Sequence, residues 1–428
     1  MTSSAHEHVF TRHADVRTAL ADPHLVPSPA RSGPVGSMAW LRDTVARFST
    51  GDTHARRRAL LEADLARLDP SALRQAARSG PAGEARVIVV RTLAESLGLS
   101  DPDAIAAAIT VVAGAYFGDG GEDRADADAA VAWLLPRVLA VDPVDPEAAA
   151  SRIGLLVQAC DATGSLVDHA RRAADDCPVA PSTEALLAET LRYDPPVRTM
   201  HRIAVRHTRV AGVAIAEGDL VTLDIAAANQ DPDVYENPST FDPERSGPPP
   251  LTFGSEPRIC PGKNHALALA AGILDRAPAE IVEAMVRHVL TLADTWTAWD
   301  GRPAPADDRI YTPHKAIRRV ADHLVDHLAE MEARLAGQEP QPDHWHASQI
   351  TTKADLAPFT QADLDEAHSR LSRLAQIWSN RLNALTPDQL DHSPGPGWSF
   401  RKLALHLAGS VYYADAIGSL APTERRTP

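Results

Sequence analysis

The sequence predicts a mainly α-helical protein with small β elements in its first two-thirds, followed by a helical bundle. Three observations carry this reading. Aromatic residues make up only 5% of the chain while alanine recurs throughout, which favours helices packed through small side chains over a β-sandwich. Helical periodicity, broken by Gly/Asp and Pro/Asp punctuation, runs through most of the chain from residue 53. Only 202–228 carries β-branched residues around turn signals. At 428 residues the chain can hold two or three domains, and a hydrophobic fraction of 44% suits a folded globular protein.

In order, Val9–Phe10 and the helix-like ADVRTALADP (14–23) open the chain, and 26–36 reads as loop. Helices are expected over 53–68, 84–98, 103–116, 126–140 and 147–173. A helix over 183–193 should stop before Pro195–Pro196, because proline disfavours the α conformation in the residue preceding it. Short strands follow around the turns Ala211–Gly212 and Glu217–Gly218. Residues 229–262 are rich in proline and glycine with little periodicity, and so long a loop in a compact domain usually has a function. Helix returns at His265 and dominates to the end, apart from linker-like stretches at 301–308, 338–360 and 391–397.

Net charge is −15, with 57 acidic against 42 basic residues, a balance that repels phosphate backbones and argues against a nucleic-acid partner. Cys160, Cys177 and Cys260 form no CxxC pair, so a reducing, cytoplasmic setting is expected. No basic segment followed by an apolar run marks a signal peptide, and no stretch approaches the ~18 apolar residues of a membrane helix.

The most informative segment is Phe253-Gly-Ser-Glu-Pro-Arg-Ile-Cys260-Pro-Gly262, followed at once by a helix. Glycines at 254 and 262 allow tight turning, and the start of the next helix can stabilise a thiolate. Upstream, Glu189-Thr-Leu-Arg192 puts an acid and a guanidinium three apart on one helix face, and His54-Ala-Arg-Arg-Arg58 puts an imidazole and a guanidinium four apart. Arg202 follows the PPV turn, and AANQDPDVYENPSTFDPER (227–245) precedes the cysteine loop.

Together and in this order, these motifs resemble the bacterial soluble cytochromes P450 over roughly residues 1–277, most specifically from 183 to 273. The resemblance implies haem b with Cys260 as axial ligand to the iron, in a loop that includes Phe253. A thiolate pushes electron density onto haem iron and favours O–O cleavage. It further implies that His54, Arg58, Arg202 and Arg258 hold the propionates, and that Glu189, Arg192 and Arg245 form a structural triad. Asp161, helped by Thr163, would move protons toward dioxygen from the long central helix. Three departures bear on this. Ala162 stands where the family usually has Thr, and Thr163 lies about a hundred degrees further round the helix. Glu256 occupies a position that is usually Gly, where it would strain the loop or put an acid near the haem. The interval from His54 to Asp161 is short, and the missing part would be the helices that roof the substrate pocket.

Residues 279–428 are helical and histidine-rich. His323-Leu-Val-Asp-His327 sets two imidazoles one turn apart, a metal-binding spacing, and His406 lies on another helix. This region resembles the DinB-like helical bundles, some of which bind a metal through three histidines, although there the lone His normally precedes the pair. A divalent metal is therefore a second cofactor expectation, beside a plain interaction or dimerisation module. The domain reading is a haem-thiolate domain over 1–278 and a bundle over 279–428. The expected function is insertion of one oxygen atom from O2 into a small organic substrate. Electrons would come from a separate ferredoxin- or flavoprotein-type partner, since no flavin or iron–sulfur motif is visible. Two alternatives stay open: a haem protein without monooxygenase activity (a sensor or a peroxide user), and a metal-dependent bundle enzyme with a degenerate haem domain.

Overall fold

The computed structural model describes residues 6–81, 83–116, 125–141, 145–175, 177, 181–306, 309–394 and 397–420. The chain divides into two compact units, Met1–Arg78 with Ala85–Asp275, and Ser79–Glu84 with Arg276–Pro428.

The first unit runs β1 (Glu7–Phe10), α1 (His13–Ala21), β2 (Leu25–Val26), α2 (Met38–Thr44), α3 (Gly51–Ala66), α4 (Pro70–Ser79), α5 (Ala85–Ser96), α6 (Pro102–Tyr116), α7 (Ala125–Val141), α8 (Pro146–Asp175) and α9 (Thr183–Tyr193). It continues with β3 (Thr199–Ala204), β4 (Thr208–Val210), β5 (Val213–Ile215), β6 (Leu220–Asp224), α10 (Ile225–Ala228) and α11 (Lys263–Leu274). The 30-residue α8 is the axis of its core, touching α3, α5, α6, α7, α9 and α11. Buried Val, Leu, Ile and Ala from all these helices form one apolar cluster. A buried ion pair, Arg152 to Asp64 at 3.0 Å, ties α8 to α3. The sheet order is β1-β6-β3-β2, with β1 parallel to β6 and the other pairs antiparallel, and it packs on its own smaller apolar cluster with α1 and α10.

Helix α11 approaches α4 closely. A Cβ at Gly272 would lie 2.2 Å from the carbonyl oxygen of Arg74, so no larger residue fits without moving a backbone. Helix α4 was not among the sequence expectations, nor was α2. The signal for α4 was nevertheless present, since Asp69 accepts from the amides of Ser71 (3.1 Å) and Ala72 (3.2 Å) ahead of an N-terminal proline.

The second unit contains α12 (Pro278–Ala293), β7 (Ala304–Ala306), β8 (Arg309–Tyr311), α13 (Pro313–Leu335), α14 (His346–Gln349), α15 (Gln361–Asn383), α16 (Pro387–Asp391), α17 (Phe400–Ala408) and α18 (Val411–Asp415). Its separate core gathers α12, α13, α15, α17 and α18 around Trp296 and Trp378, and the Trp378 indole N–H donates to the Leu324 carbonyl at 3.0 Å. The supposed linker at 301–308 contributes strand β7, paired antiparallel with β8, and 338–360 contains α14 and a short 3-10 turn. Residues 307–308 and 395–396 of the expected linkers lie outside the described residues. No described helix is long and apolar enough to cross a membrane.

Candidate functional site

The cysteine loop rests on a polar framework assembled by α9. Arg192 and Glu189, three apart on that helix, meet in a bidentate pair at 2.9 and 2.6 Å, with side chains only 2% and 4% exposed. Such a pair persists in the interior only if every remaining donor is satisfied. Here that holds: Arg192 also donates to the carbonyls of Asn229, Pro238 and Thr240, at 3.2, 2.7 and 3.0 Å. Arg245 joins Glu189 at 3.3 Å and donates to the carbonyls of Glu236, Asn237 and Thr240, so one acid and two guanidiniums hold the long loop. Fully buried Asn229 links this framework to the cysteine loop, accepting from the Leu251 amide at 2.8 Å and donating to the Thr252 hydroxyl at 2.9 Å.

Beyond it the chain turns at Gly254, whose φ of +77° an L side chain adopts only with strain. The Cys260 amide donates to the Phe253 carbonyl at 2.9 Å, closing the loop. Burial pushes the Cys260 thiol up, while the Gly262 N–H at the head of α11 and the charges of Arg58 and Arg47 pull it down. The sulfur is thus held where an anion finds both a backbone donor and cations. Glu256 is exposed and is not among the described residues with positive φ, so it neither strains the loop in that way nor turns an acid inward.

Cationic side chains from four separate segments converge near Cys260. Arg58 donates to the Ile259 carbonyl at 2.7 Å and pairs with Glu62 at 2.7 Å. Arg258 donates to the Ser49 carbonyl at 2.8 Å, and enclosure with repulsion from Arg58 and Arg47 lowers its pKa. Enclosure, then repulsion from Arg258 and Arg47, brings Arg202 down to about 10. His54 is lowered by enclosure and then by Arg258 and Arg58. Enclosure lowers Arg47 as well, while Tyr116 and then Cys260 act against it. Arg202 and Arg258, each lowered by enclosure and then by neighbouring arginines, stand with Arg47 and Arg58 near a thiol, a set that fits a flat cofactor with two carboxylates. Arg47 was missed at the sequence level, because nothing local marks a 3-10 turn (Ala46–Phe48) as facing Cys260 across 200 residues. Of the HARRR cluster, only His54 and Arg58 belong here; Arg56 and Arg57 instead bind Glu147 at the start of α8, at 2.7 and 2.8 Å.

On α8, Asp161 pairs with Arg86 of α5 at 3.0 Å, both side chains more than a third exposed. The Thr163 hydroxyl is buried and has no hydrogen-bond partner among the described residues. Positions two apart differ by about 200° around a helix, so the acid and the hydroxyl leave α8 on different sides and do not form one group. Arg86, a partner the motif does not contain, was not foreseen.

In the second unit α13 and α17 bring His323, His327 and His406 together, with one nitrogen from each within 4.8 Å of the others. The Nε2 atoms of His323 and His406 are 2.9 Å apart. Crowding by protein, then His327 and His406, depresses His323 to about 3. His327 uses Nδ1 to meet Glu330 at 2.9 Å, leaving Nε2 for the cluster, and the Trp398 ring lies 4.4 Å from that of His406.

Comparison with known proteins bears on the first unit. Residues 165–270 match the family model "Cytochrome P450". The biotin biosynthesis cytochrome P450 of Bacillus subtilis is 40% identical over 78 residues, 18% of this chain and 20% of that protein. The erythromycin C-12 hydroxylase of Saccharopolyspora erythraea is 39% identical over 80 residues (18% and 20%), and the linalool 8-monooxygenase of Pseudomonas putida 39% over 79 (18% and 20%). The chain therefore spans about a fifth of the length of the curated relatives it matches. Among solved structures, CalO2 superposes with a TM-score of 0.52 at 22% identity, covering 62% of this chain and 81% of that one. P450BioI, in complex with an acyl carrier protein ligated to hexadec-9Z-enoic acid, gives 0.50 at 18% identity, covering 62% and 84%. The fold, mostly helical with small sheets, is cytochrome P450-like.

Proposed function

We propose that this chain is a haem-thiolate monooxygenase that inserts one oxygen atom from O2 into a small organic substrate, drawing electrons from a separate ferredoxin- or flavoprotein-type partner. The observation that carries the reading is Cys260, set beside the Gly262 amide with Arg47, Arg58, Arg202 and Arg258 converging near it from four segments. The hydroxylase and monooxygenase named among its relatives point the same way.

Cys260 would hold the iron of haem b, with Phe253 beside it, and His54, Arg58, Arg202 and Arg258, with Arg47 added, would hold its propionates. When bound, haem supplies the oxygen-activating chemistry that the side chains lack. The chain's own residues do the rest. The buried Glu189–Arg192–Arg245 framework fixes the height of the cysteine loop, and α11 presents its amide to the sulfur. Asp161 holds and releases protons at its carboxylate from its bridge to Arg86, while Thr163 keeps an uncommitted hydroxyl inside the helix bundle. At Ala162 the side-chain hydroxyl is missing, and a water or a hydroxyl of the substrate takes that place. A reduced, carbon monoxide-treated sample should show a strongly red-shifted Soret band that Cys260→Ser abolishes. Absence of haem after reconstitution would sink the reading. Turnover with a reductase and NADPH, against turnover with peroxide alone, separates a monooxygenase from a peroxide user.

A second reading concerns the other unit, and the three converging imidazoles favour it. We read it as a DinB-like bundle in which His323, His327 and His406 hold a divalent metal. Three neutral nitrogens with one position left open are the ligand set of a catalytic zinc site, and Glu330 fixes the ring of His327 as carboxylates do for metal-bound histidines. Activity lost on His323→Ala but kept on Cys260→Ser would make the bundle the working part.

A further inference from the structure

Helix α13 carries three arginines, and their surroundings differ. Arg318 pairs with Asp355 at 2.8 Å and Arg334 with Glu330 at 3.0 Å. Arg319, one turn before His323 on the same face, has only neutral partners among the described residues. Its Nη1 donates to the Ser348 hydroxyl and its Nη2 to the Tyr413 phenol, both at 2.9 Å, and the guanidinium lies 4.8 Å over the Tyr413 ring. Its Nε–H is shielded from solvent and meets no acceptor. A half-buried guanidinium with no counter-anion is costly unless an anion visits it, and its planar fork suits a carboxylate.

The cluster beside it has the same excess. Three neutral imidazoles leave a divalent cation uncompensated, and Glu330 is already divided between His327 and Arg334. Asp343 is the carboxylate whose charge acts on His323, and one of its oxygens accepts from the Trp345 amide at 2.6 Å. The Trp398 ring, 39% exposed and tilted against His406 at 4.4 Å, offers a flat apolar wall for a carbon skeleton. Residues four apart on a helix are separated by about 6 Å along its axis, the span of a short dicarboxylate.

Resting on the metal reading above, we infer that Arg319 is the anion anchor of the three-histidine site, whose ligand is a small carboxylic acid carrying a second donor atom for the metal. One end of such a molecule would complete the metal's coordination while its carboxylate accepts from Arg319. The test uses the full chain loaded with Co2+, read by its visible absorption, and titrated with succinate and separately with acetate. Cobalt uptake should fall at least ~100-fold in His323→Ala. Succinate should perturb the cobalt bands with at least ~10-fold higher affinity than acetate, because only succinate reaches both cations. Arg319→Gln should remove that preference and leave cobalt affinity unchanged, and Arg319→Lys, which keeps the charge, should retain part of it. Cobalt uptake without any preference for succinate overturns the inference and leaves the metal reading standing, as does a preference that survives in Arg319→Gln. No uptake, or uptake indifferent to His323→Ala, removes the metal reading and the inference with it. Where Arg319→Gln fails to fold, Arg319→Lys decides: a preference for succinate over acetate that is undiminished there overturns the inference, and a reduced one supports it.

Discussion

The two polar networks of the first unit sit in opposite environments. Under the cysteine loop, Glu189 and Arg192 are almost fully shielded from water and each spare donor of Arg192 has a carbonyl. On α8, Asp161 and Arg86 form a bridge of ordinary length with both side chains more than a third exposed. A buried network whose members are all satisfied behaves as part of the backbone and resists rearrangement. An exposed pair in high dielectric holds weakly and can part and re-form within a catalytic cycle. The contrast separates a fixed platform for the sulfur from a bridge on α8 that is free to open.

The largest break should come from Arg192→Ala, which leaves Glu189 buried and uncompensated. A loss of about 3–5 kcal/mol is expected, a large share of a domain's stability, and urea unfolding followed by circular dichroism would measure it. Asn229→Ala should cost about 1–3 kcal/mol in the same assay, and the loosened loop should also bind haem less tightly by Soret titration. Asp161→Asn should change stability by about 1 kcal/mol or less, yet slow substrate turnover and raise the solvent isotope effect if the carboxylate carries protons. The smallest effect should come from Glu147, whose carboxyl is held below its ordinary value first by its hydrogen bond to Arg56. Its contribution is present in full above pH ~4.5 and disappears as pH falls through the lowered folded-state value, so Glu147→Gln should flatten only that acid arm of the stability profile.

Legibility in the sequence followed the range of each interaction. Glu189–Arg192, Gly254 and the Cys260–Gly262 turn were readable because their partners lie within a few residues and their chemistry is local. The helix over 183–193 ends where Pro195 requires. Arg245 was assigned through the family pattern, and it does meet Glu189. Arg47, Arg86 and Asn229 were invisible, since each acquires its role only when distant segments meet: residue 47 with 260, 86 with 161, 229 with 252. Helix α4 was overlooked although its cap was written in Asp69-Pro70, because its apolar stripe is short. The HARRR run divided between the cysteine loop and the start of α8 because neighbouring residues on a helix point about a hundred degrees apart.

The close approach at Gly272 has a mechanical consequence. Helix α11 is a twelve-residue rod whose head bears the Gly262 amide that faces the sulfur, and its far end is pinned against the Arg74 carbonyl with room only for a hydrogen atom. A methyl group there would act as a wedge under one end of a lever. Tilting the rod would lift its head away from Cys260 at a distance of about 15 Å, with no change in any residue that touches the sulfur. The backbone donor offered to the Cys260 sulfur is thus set by steric clearance at the opposite end of the helix.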